Sequence, residues 1–245
     1  MTTRAAQALA EQLGSLGTTE RAVGQAAYLK STDHHVGVTV PDVRRVAKAW
    51  LRTARPTHEQ LLALADALWE HRTGGRPVYE CRLLAVELLA GSPRLLTAAD
   101  LQFIEGRLRE CGTWALVDPL AGWVVGRIVE TEPVQALPVL DRWVGDTDFW
   151  VRRSAVLALS RSLAAGRERE RFYGYCERLL PETEFFIRKV LGWMLREEAS
   201  RNPAEVEAWL RAHMQGMNLV TLREPMRKFS PTVAAELRAL YDTRR

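Results

Sequence analysis

The stretch FWVRRSAVLAL, residues 149–159, has two counterparts elsewhere in the chain. FFIRKVLGWML, residues 185–195, aligns with it at an offset of 36 residues, and YECRLLAVELL, residues 79–89, aligns at an offset of 70. All three stretches carry Arg at the fourth position and Leu at the eleventh. One helical unit is therefore used repeatedly, and helical units that stack side by side share a continuous core.

The remaining sequence is also helical in pattern. Apolar residues recur at intervals of three and four, Ala, Leu, Arg and Glu abound, and alternating runs of β-branched residues are nearly absent. Cap and turn signals predict helices that begin near residues 4, 19, 41, 57, 76, 97, 119, 133, 149, 168, 184, 203, 220 and 231. We therefore predict an all-α fold, a HEAT-like or armadillo-like α-α superhelix, which is a solenoid of antiparallel helix pairs with a concave face. We expect one domain over residues 1–245.

The composition is that of a folded protein. Of the 245 residues, 47% are hydrophobic and 26% are charged, so the chain has enough apolar side chains to bury a core. No apolar run is long enough to cross a bilayer, and acidic Glu11 lies where a signal peptide would continue its apolar region. We expect a soluble cytoplasmic protein.

Cysteine and histidine patterns give no sign of a metal site. The three cysteines form no CxxC pair, and the five histidines form neither HExxH nor a Cys/His cluster. The cysteines are therefore expected to be buried thiols in a reducing compartment. We expect no bound metal.

Positive charge is concentrated in three segments although the net charge is only +4. Residues 41–55 hold five basic residues and one acidic residue, residues 151–172 hold six and two, and residues 211–228 hold four and one. Such segregation suits a phosphate backbone. Ordinary helix-surface charge explains the counts as well, so both explanations stay open.

The repeat separates structural from functional candidates. The Arg that the three stretches share recurs in one register, which indicates a structural role. The next position carries Arg153 in one stretch and Lys189 in another, and Trp193 follows Lys189 by four residues on the same helix face. We predict that these three side chains form one stripe across neighbouring repeats, with Arg196 at its edge.

Asp118 has two compatible interpretations. It precedes Pro119, and Asp before Pro is a well-formed N-cap, here for a helix over residues 119–130. A carboxylate at a helix N-terminus can also face a cleft. Trp114 lies four residues before it, and core packing is the usual role of a Trp in a helical repeat.

Four segments resemble the AlkD-type alkylpurine DNA glycosylases, the HEAT-like-repeat DNA alkylation-repair proteins. The resemblance follows the family's order over roughly residues 28 to 229. The segments are YLKSTDHHVGVTVPDVRRVAKAW (28–50), TWALVD (113–118), DFWVRRSAVLAL (148–159) and EFFIRKVLGWMLREEASRNP (184–203).

The resemblance implies an activity and a set of working residues. By motif, the catalytic residues fall on Trp114, Asp118 and Trp193, and a DNA-binding Arg falls on Arg153. The implied reaction is excision of 3-methyladenine and 7-methylguanine from duplex DNA in base excision repair, by hydrolysis of the N-glycosidic bond without base flipping. The partner would be double-stranded DNA with alkylated bases, which would place the protein at the nucleoid when bound. No cofactor is implied, and a monomer is the default expectation.

The implied chemistry suits these residue types. The alkylated bases are cationic and leave as neutral purines, so positive charge moves onto the deoxyribose in the transition state. The Asp118 carboxylate would stabilise that charge and position the attacking water, and the indoles of Trp114 and Trp193 would add cation–π stabilisation. Arg153 would hold a phosphate near the lesion.

Other positions carry weaker expectations. Tyr28 is a further candidate near DNA, and two prolines depart from the family pattern: Pro119 fixes the backbone beside Asp118, and Pro225 should interrupt or restart a terminal helix. Four basic residues could hold the DNA backbone, with a solvated surface role open for each: Arg45, Lys48, Lys189 and Arg196.

Two other functions remain open at this point. One is a non-catalytic HEAT-repeat binder of damaged or branched DNA, against which the joint presence of Trp114, Asp118 and Trp193 argues. The other is a protein-binding HEAT scaffold, because architecture does not fix function. The segregated positive charge disfavours the scaffold.

Overall fold

The computed structural model describes residues 2–244 and is helical over most of that range. This confirms the predicted all-α fold. Its α-helices are α1 (Thr2–Leu16), α2 (Thr19–Leu29), α3 (Val40–Ala54), α4 (His58–Trp69), α5 (Tyr79–Ala90), α6 (Leu101–Glu110), α7 (Trp114–Pro119), α8 (Gly126–Thr131), α9 (Pro133–Trp143), α10 (Phe149–Ala158), α11 (Ser160–Ala164), α12 (Arg169–Leu179), α13 (Phe185–Ala199), α14 (Pro203–Ala212), α15 (Leu219–Met226) and α16 (Pro231–Thr243). The shorter elements are strands β1 (Arg72–Thr73) and β2 (Arg76–Pro77), the 3₁₀ turns Ala98–Asp100 and Met214–Gly216, and the π-helical segment Leu120–Val125.

The chain packs as two compact units that divide between Ile128 and Val129. Each unit has its own buried apolar core. The single domain over residues 1–245 stays a prediction.

Helix α5 forms the centre of the first unit. It carries apolar residues on almost every side, and ten of its twelve residues are buried. A helix of this kind is stable only when neighbours cover it. Helices α3 and α4 pack on α5, and Leu61, Leu64 and Leu68 of α4 are almost completely buried. Burial of each such side chain contributes roughly 1.5–3 kcal/mol.

A buried carboxylate fastens the loop before α3 to α5. Glu80 is fully buried, and its Oε1 accepts hydrogen bonds from the backbone N–H groups of Gly37 (2.7 Å) and Val38 (3.2 Å), while its Oε2 accepts one from Val36 (3.0 Å). Three donors and the N-terminus of α5 compensate for the burial of the charge. Gly37 has φ +80°, and a Cβ there would lie 2.1 Å from the carbonyl oxygen of Thr18, so only glycine suits this position.

A two-stranded hairpin joins α4 to α5 and was not expected from the sequence. Strands β1 and β2 pair antiparallel around Gly74 and Gly75, both of which have positive φ. Two positive φ values in a two-residue turn match the twist of the flanking strands, and a Gly-Gly pair is a signal for such turns. The hairpin moves the start of α5 from the predicted residue 76 to Tyr79.

Helix α13 forms the centre of the second unit and packs against α10, α14 and α15. Its contact with α15 is close at Gly192. A Cβ at this position would lie 2.9 Å from the carbonyl oxygen of Thr221. A side chain on residue 192 would therefore push α15 away from α13.

The Arg that recurs in one register of the repeat has the predicted structural role. Arg152 Nη1 donates to the carbonyl oxygen of Asp146 (2.7 Å), and Arg188 Nε donates to that of Glu182 (2.8 Å). In both cases the acceptor lies six residues earlier, so each Arg braces the loop that leads into its own helix. Arg82 is buried and also donates to backbone carbonyls.

The cysteines are buried thiols, as the sequence predicts. Burial, with the nearby Glu80 carboxylate, raises the pKa of Cys81 to about 12, and burial raises the pKa of Cys176 well above its ordinary value. Both groups therefore stay protonated at neutral pH. In the described range, residues 2–244, no helix is long and apolar enough to cross a membrane.

We predict that Glu80→Gln lowers the free energy of unfolding by about 2 kcal/mol, because an amide NH₂ would face a backbone N–H that the carboxylate now satisfies. Urea unfolding followed by circular dichroism measures the change. Glu59→Gln is the matched control, since Glu59 is an exposed first-turn residue of α4, and its effect should stay within about 0.5 kcal/mol. Equal small effects of the two substitutions would contradict the anchoring role of Glu80.

Candidate active site and nucleic-acid interface

Helix α7 carries the two catalytic candidates of the first unit. Thr113 begins the helix as its N-cap, and its Oγ1 accepts a hydrogen bond from the backbone N–H of Ala115 (3.4 Å). Trp114 and Asp118 are four residues apart in this helix and share one face. Both residues are half-buried. An indole and a carboxylate are therefore presented together.

The prediction that Asp118 caps a helix over residues 119–130 is wrong. The helix begins five residues earlier, where Thr113 supplies the cap, and Asp118 lies inside it. Pro119 keeps helical dihedrals, φ −67° and ψ −36°, and the chain then widens into the π-helical segment Leu120–Val125. A π-helical turn alters the backbone hydrogen-bond spacing next to a residue that has no N–H to donate. Pro119 is therefore accommodated within the helix and does not start it.

Tyr28 lies against Trp114. The two ring centroids are 6.1 Å apart and the planes meet at 80°, an edge-to-face contact, while Tyr28 is 73% exposed. Helix α2, which carries Tyr28, has no buried residue and is held by polar contacts. Arg21 Nε donates to the carbonyl of Gly37 (2.7 Å), and Gln25 Nε2 donates to that of Val38 (2.8 Å).

Two of the weaker basic candidates lie on α3, also in the first unit. Arg45 is exposed and pairs with Asp42 at 2.7 Å, within the same helix. Lys48 is exposed one turn further on. Both side chains can reach solvent and are available to an anion.

Arg153, in the second unit, is 95% buried rather than exposed. Its Nη1 donates a 2.6 Å hydrogen bond to the carbonyl oxygen of Phe186, which ties α10 to the first turn of α13. Phe149 and Trp150 pack beside Phe186, with the ring centroids of Trp150 and Phe186 4.8 Å apart. A guanidinium in this position organises the junction of the two helices.

Lys189 and Arg196 meet at one carboxylate. Lys189 Nζ lies 3.0 Å from Glu224 Oε1, and Arg196 Nη1 lies 2.8 Å from Glu224 Oε2. Burial acts to raise the pKa of Glu224, but the hydrogen bond from Lys189 and the charges of Lys189, Arg227 and Arg196 outweigh it, so the pKa is lowered. Glu224 is therefore ionised at neutral pH and holds both cations in place.

Trp193 lies on the same face of α13 as Lys189 and is 37% exposed. Of the predicted stripe, Lys189 and Trp193 reach solvent, whereas Arg153 does not. Glu224, the carboxylate that the sequence analysis missed, follows an Arg in LREPMRK, and no local pattern pointed to a partner 35 residues away.

Pro225, next to Glu224, behaves nearly as expected. It lies in the last turn of α15, which ends one residue later at Met226, and the next helix begins at Pro231. The terminal helix is thus interrupted and restarted, and Glu224 remains within α15.

The predicted site residues fall into two groups. Trp114, Asp118, Arg45 and Lys48 lie in the first unit. The second unit holds Arg153, Lys189, Trp193 and Arg196. Each group therefore contains one partly exposed indole, Trp114 or Trp193, together with basic side chains.

The chemistry available to the first group is electrostatic. A carboxylate and an indole face can both stabilise positive charge, and a carboxylate can orient a water molecule. Among residues 2–244, no group of three His, Cys, Asp or Glu side chains is arranged to hold a metal ion.

Comparisons with solved structures show the fold. A protein of Enterococcus faecalis described as a predicted DNA alkylation repair enzyme superposes with a TM-score of 0.77 at 20% identity, covering 88% of this chain and 97% of the other. AlkD2 from Streptococcus mutans superposes with a TM-score of 0.55 at 17% identity, covering 84% and 89%. These likenesses confirm the predicted AlkD-type helical-repeat fold. No curated protein matches the chain in sequence.

The comparison with family models shows to which protein family the chain belongs. The model of the DNA alkylation repair enzyme family matches residues 9–229, which includes all of the predicted site residues. The chain belongs to the DNA alkylation repair enzyme family.

Proposed function

We propose that the protein is a DNA glycosylase that excises cationic alkylated purines, 3-methyladenine and 7-methylguanine, from duplex DNA in base excision repair. The observation that carries the proposal is the pairing of Trp114 and Asp118 on one face of α7, in a helix that Thr113 caps. Asp118 lies inside α7 and is not its N-cap, which Thr113 supplies.

The proposed reaction hydrolyses the N-glycosidic bond. The bond between C1′ of the deoxyribose and N9 of the purine breaks with its electron pair going to the base, which leaves neutral because it was a cation before. Positive charge builds on the sugar, and a water molecule adds to C1′ and loses a proton. Asp118 is proposed to stabilise the sugar cation and to position this water.

The indoles of Trp114 and Trp193 are each proposed to stabilise positive charge by cation–π interaction. Trp114 makes an edge-to-face contact with Tyr28, and Trp193 projects from α13 beside Lys189. An indole face attracts a cation most strongly when water is excluded, with about 2 kcal/mol for a desolvated pair. In this proposal the base stays in the stack and is not flipped into a pocket, and the reaction needs neither metal nor cofactor.

The basic residues are proposed to hold the phosphate backbone. Arg45 and Lys48 are exposed on α3, and the cations Lys189 and Arg196 are preorganised by Glu224. Arg153 is proposed to act at a phosphate near the lesion through the α10–α13 junction that it organises. Contacts of this kind position the duplex and give binding that weakens with salt. We propose that the protein acts as a monomer in the cytoplasm, at the nucleoid when bound to DNA.

We predict that Asp118→Asn lowers the single-turnover rate of 7-methylguanine release from methylated duplex DNA at least about 100-fold, because the amide keeps the shape but removes the charge. Duplex affinity and the unfolding midpoint should change little. Asp242→Asn is the matched control, since Asp242 is an exposed carboxylate on α16. Base release by Asp118→Asn at the wild-type rate would disprove the catalytic role, and duplex binding without base release by either protein would favour a non-catalytic binder of damaged DNA.

We predict that Arg45→Gln reduces the slope of log affinity against log salt by about 0.9 for duplex DNA, because one phosphate contact is lost. Fluorescence anisotropy of a labelled methylated duplex over a salt series measures the slope. Arg238→Gln is a close control, since Arg238 is also an exposed Arg paired with an Asp of its own helix, Asp242 at 2.8 Å. An unchanged slope for Arg45→Gln would remove this contact from the proposal, and absence of duplex binding by the wild type at low salt would remove DNA binding altogether.

A further inference from the structure

An open groove lies between α3, the end of α5 and the π-helical segment of the first unit. Its volume is about 460 Å³. The residues that line it include two cations, one carboxylate and one indole: Arg44, Lys48, Glu87 and Trp123. Leu51 and Gly91 also belong to the lining. None of these residues except Lys48 has a place in the proposed catalytic or duplex-binding set.

Trp123 is unusually exposed for its residue type and its setting. It belongs to the π-helical segment Leu120–Val125, in which Leu120, Ala121, Val124 and Val125 are buried. Trp123 itself is 46% exposed. The segment therefore contributes four residues to the core and leaves a large aromatic face at the groove, where burial would have been favourable.

Arg44 is fixed against this indole. The guanidinium carbon of Arg44 lies 4.8 Å from the centroid of the Trp123 ring, and its Nε donates to Glu87 Oε1 at 2.9 Å. The Glu87 side chain is only 9% exposed, so this ion pair anchors the Arg44 guanidinium to a largely buried carboxylate. The result is a preformed cation–π pair of an indole and a guanidinium.

Lys48 adds a charge that is open to a ligand. It lies one turn after Arg44 on α3 and is exposed. No carboxylate in the described part of the chain lies within ion-pair distance of it. Since Glu87 balances Arg44, the groove carries a net positive charge from Lys48.

An indole paired with a guanidinium, beside a lysine without an ion-pair partner among the described residues, can recognise a nucleotide whose base is exposed. Bases stack on aromatic rings and on guanidinium planes, and a neighbouring phosphate pairs with a lysine. In a duplex the base faces are covered by neighbouring pairs, so an unpaired nucleotide suits the groove better than paired DNA. We propose that this groove binds an unpaired nucleotide of single-stranded DNA, with the base on the Trp123–Arg44 pair and a phosphate at Lys48. This site does not depend on the glycosylase activity.

The test uses a short single strand with a fluorescent base. A pentanucleotide with 2-aminopurine between thymidines is titrated with the full-length protein at low salt, and its fluorescence is followed. The wild type should quench it in a saturable manner. Trp123→Ala should weaken binding about tenfold, because loss of stacking on one aromatic side chain has an effect of that order, and Trp123→Phe should retain most of the affinity.

Two controls separate stacking and charge from general effects. Phe185→Ala removes a comparably exposed aromatic ring from the second unit and should leave the affinity unchanged. Lys48→Gln should weaken binding, whereas Arg52→Gln, which removes a positive charge from the same helix away from the groove lining, should have a smaller effect.

The proposal would be overturned by a lack of saturable quenching with the wild type, or by an unchanged affinity for Trp123→Ala. It would also be overturned if a pentaglutamate peptide displaced the probe as effectively as pentathymidylate, because the groove would then recognise charge alone. Trp123→Ala should also release 7-methylguanine from duplex DNA at the wild-type rate. If no protein releases base while the quenching pattern holds, the glycosylase proposal fails and the groove proposal stands.

Discussion

Helix α5 carries apolar residues on almost every side, and α13 buries eight of its fifteen residues, so both are stable only when neighbouring helices cover their buried faces. Charged side chains hold the neighbouring loops and helices in place where they meet these two helices. Glu80 holds the loop before α3, Arg188 braces the loop into α13, and Glu224 joins α15 to α13. Each anchor is a buried or half-buried charge with hydrogen-bonding partners, which is the condition under which burial of charge is tolerated.

The same covering helices present the functional groups. In the segment that runs from α7 into the π-helical turn, Thr113 fixes the start and the turn follows Pro119, so that two different indoles can be displayed nine residues apart. Trp114 lies beside Asp118, and Trp123 lies beside Arg44. A helix that instead began at Pro119 would have used the Asp118 carboxylate as its cap.

Much of the fold could be predicted from the sequence because helix starts depend on nearby residues. The predicted starts at residues 19, 133, 149, 203 and 231 coincide with the structure. The error at residue 119 arose because two cap signals, Thr113 and Asp118 before Pro119, compete locally, and only the packing of the helix decides between them. The Trp114–Asp118 pair came from the family resemblance, because the predicted helix began at residue 119 and left Trp114 outside it. By contrast, the Glu224 contacts and the Trp123 groove join residues that are distant in sequence, and neither periodicity nor a single motif encodes such contacts.

We propose that Asp118 and Trp114 of α7 promote hydrolysis of the N-glycosidic bond of an alkylated purine. Mass spectrometry of both products, after incubation of the wild-type protein with a duplex carrying one 7-methylguanine, tests this claim most directly. We expect equal amounts of free 7-methylguanine and of an intact strand with one abasic site. Recovery of the modified strand with unchanged mass, under conditions in which the protein is fully bound to the duplex, would contradict it.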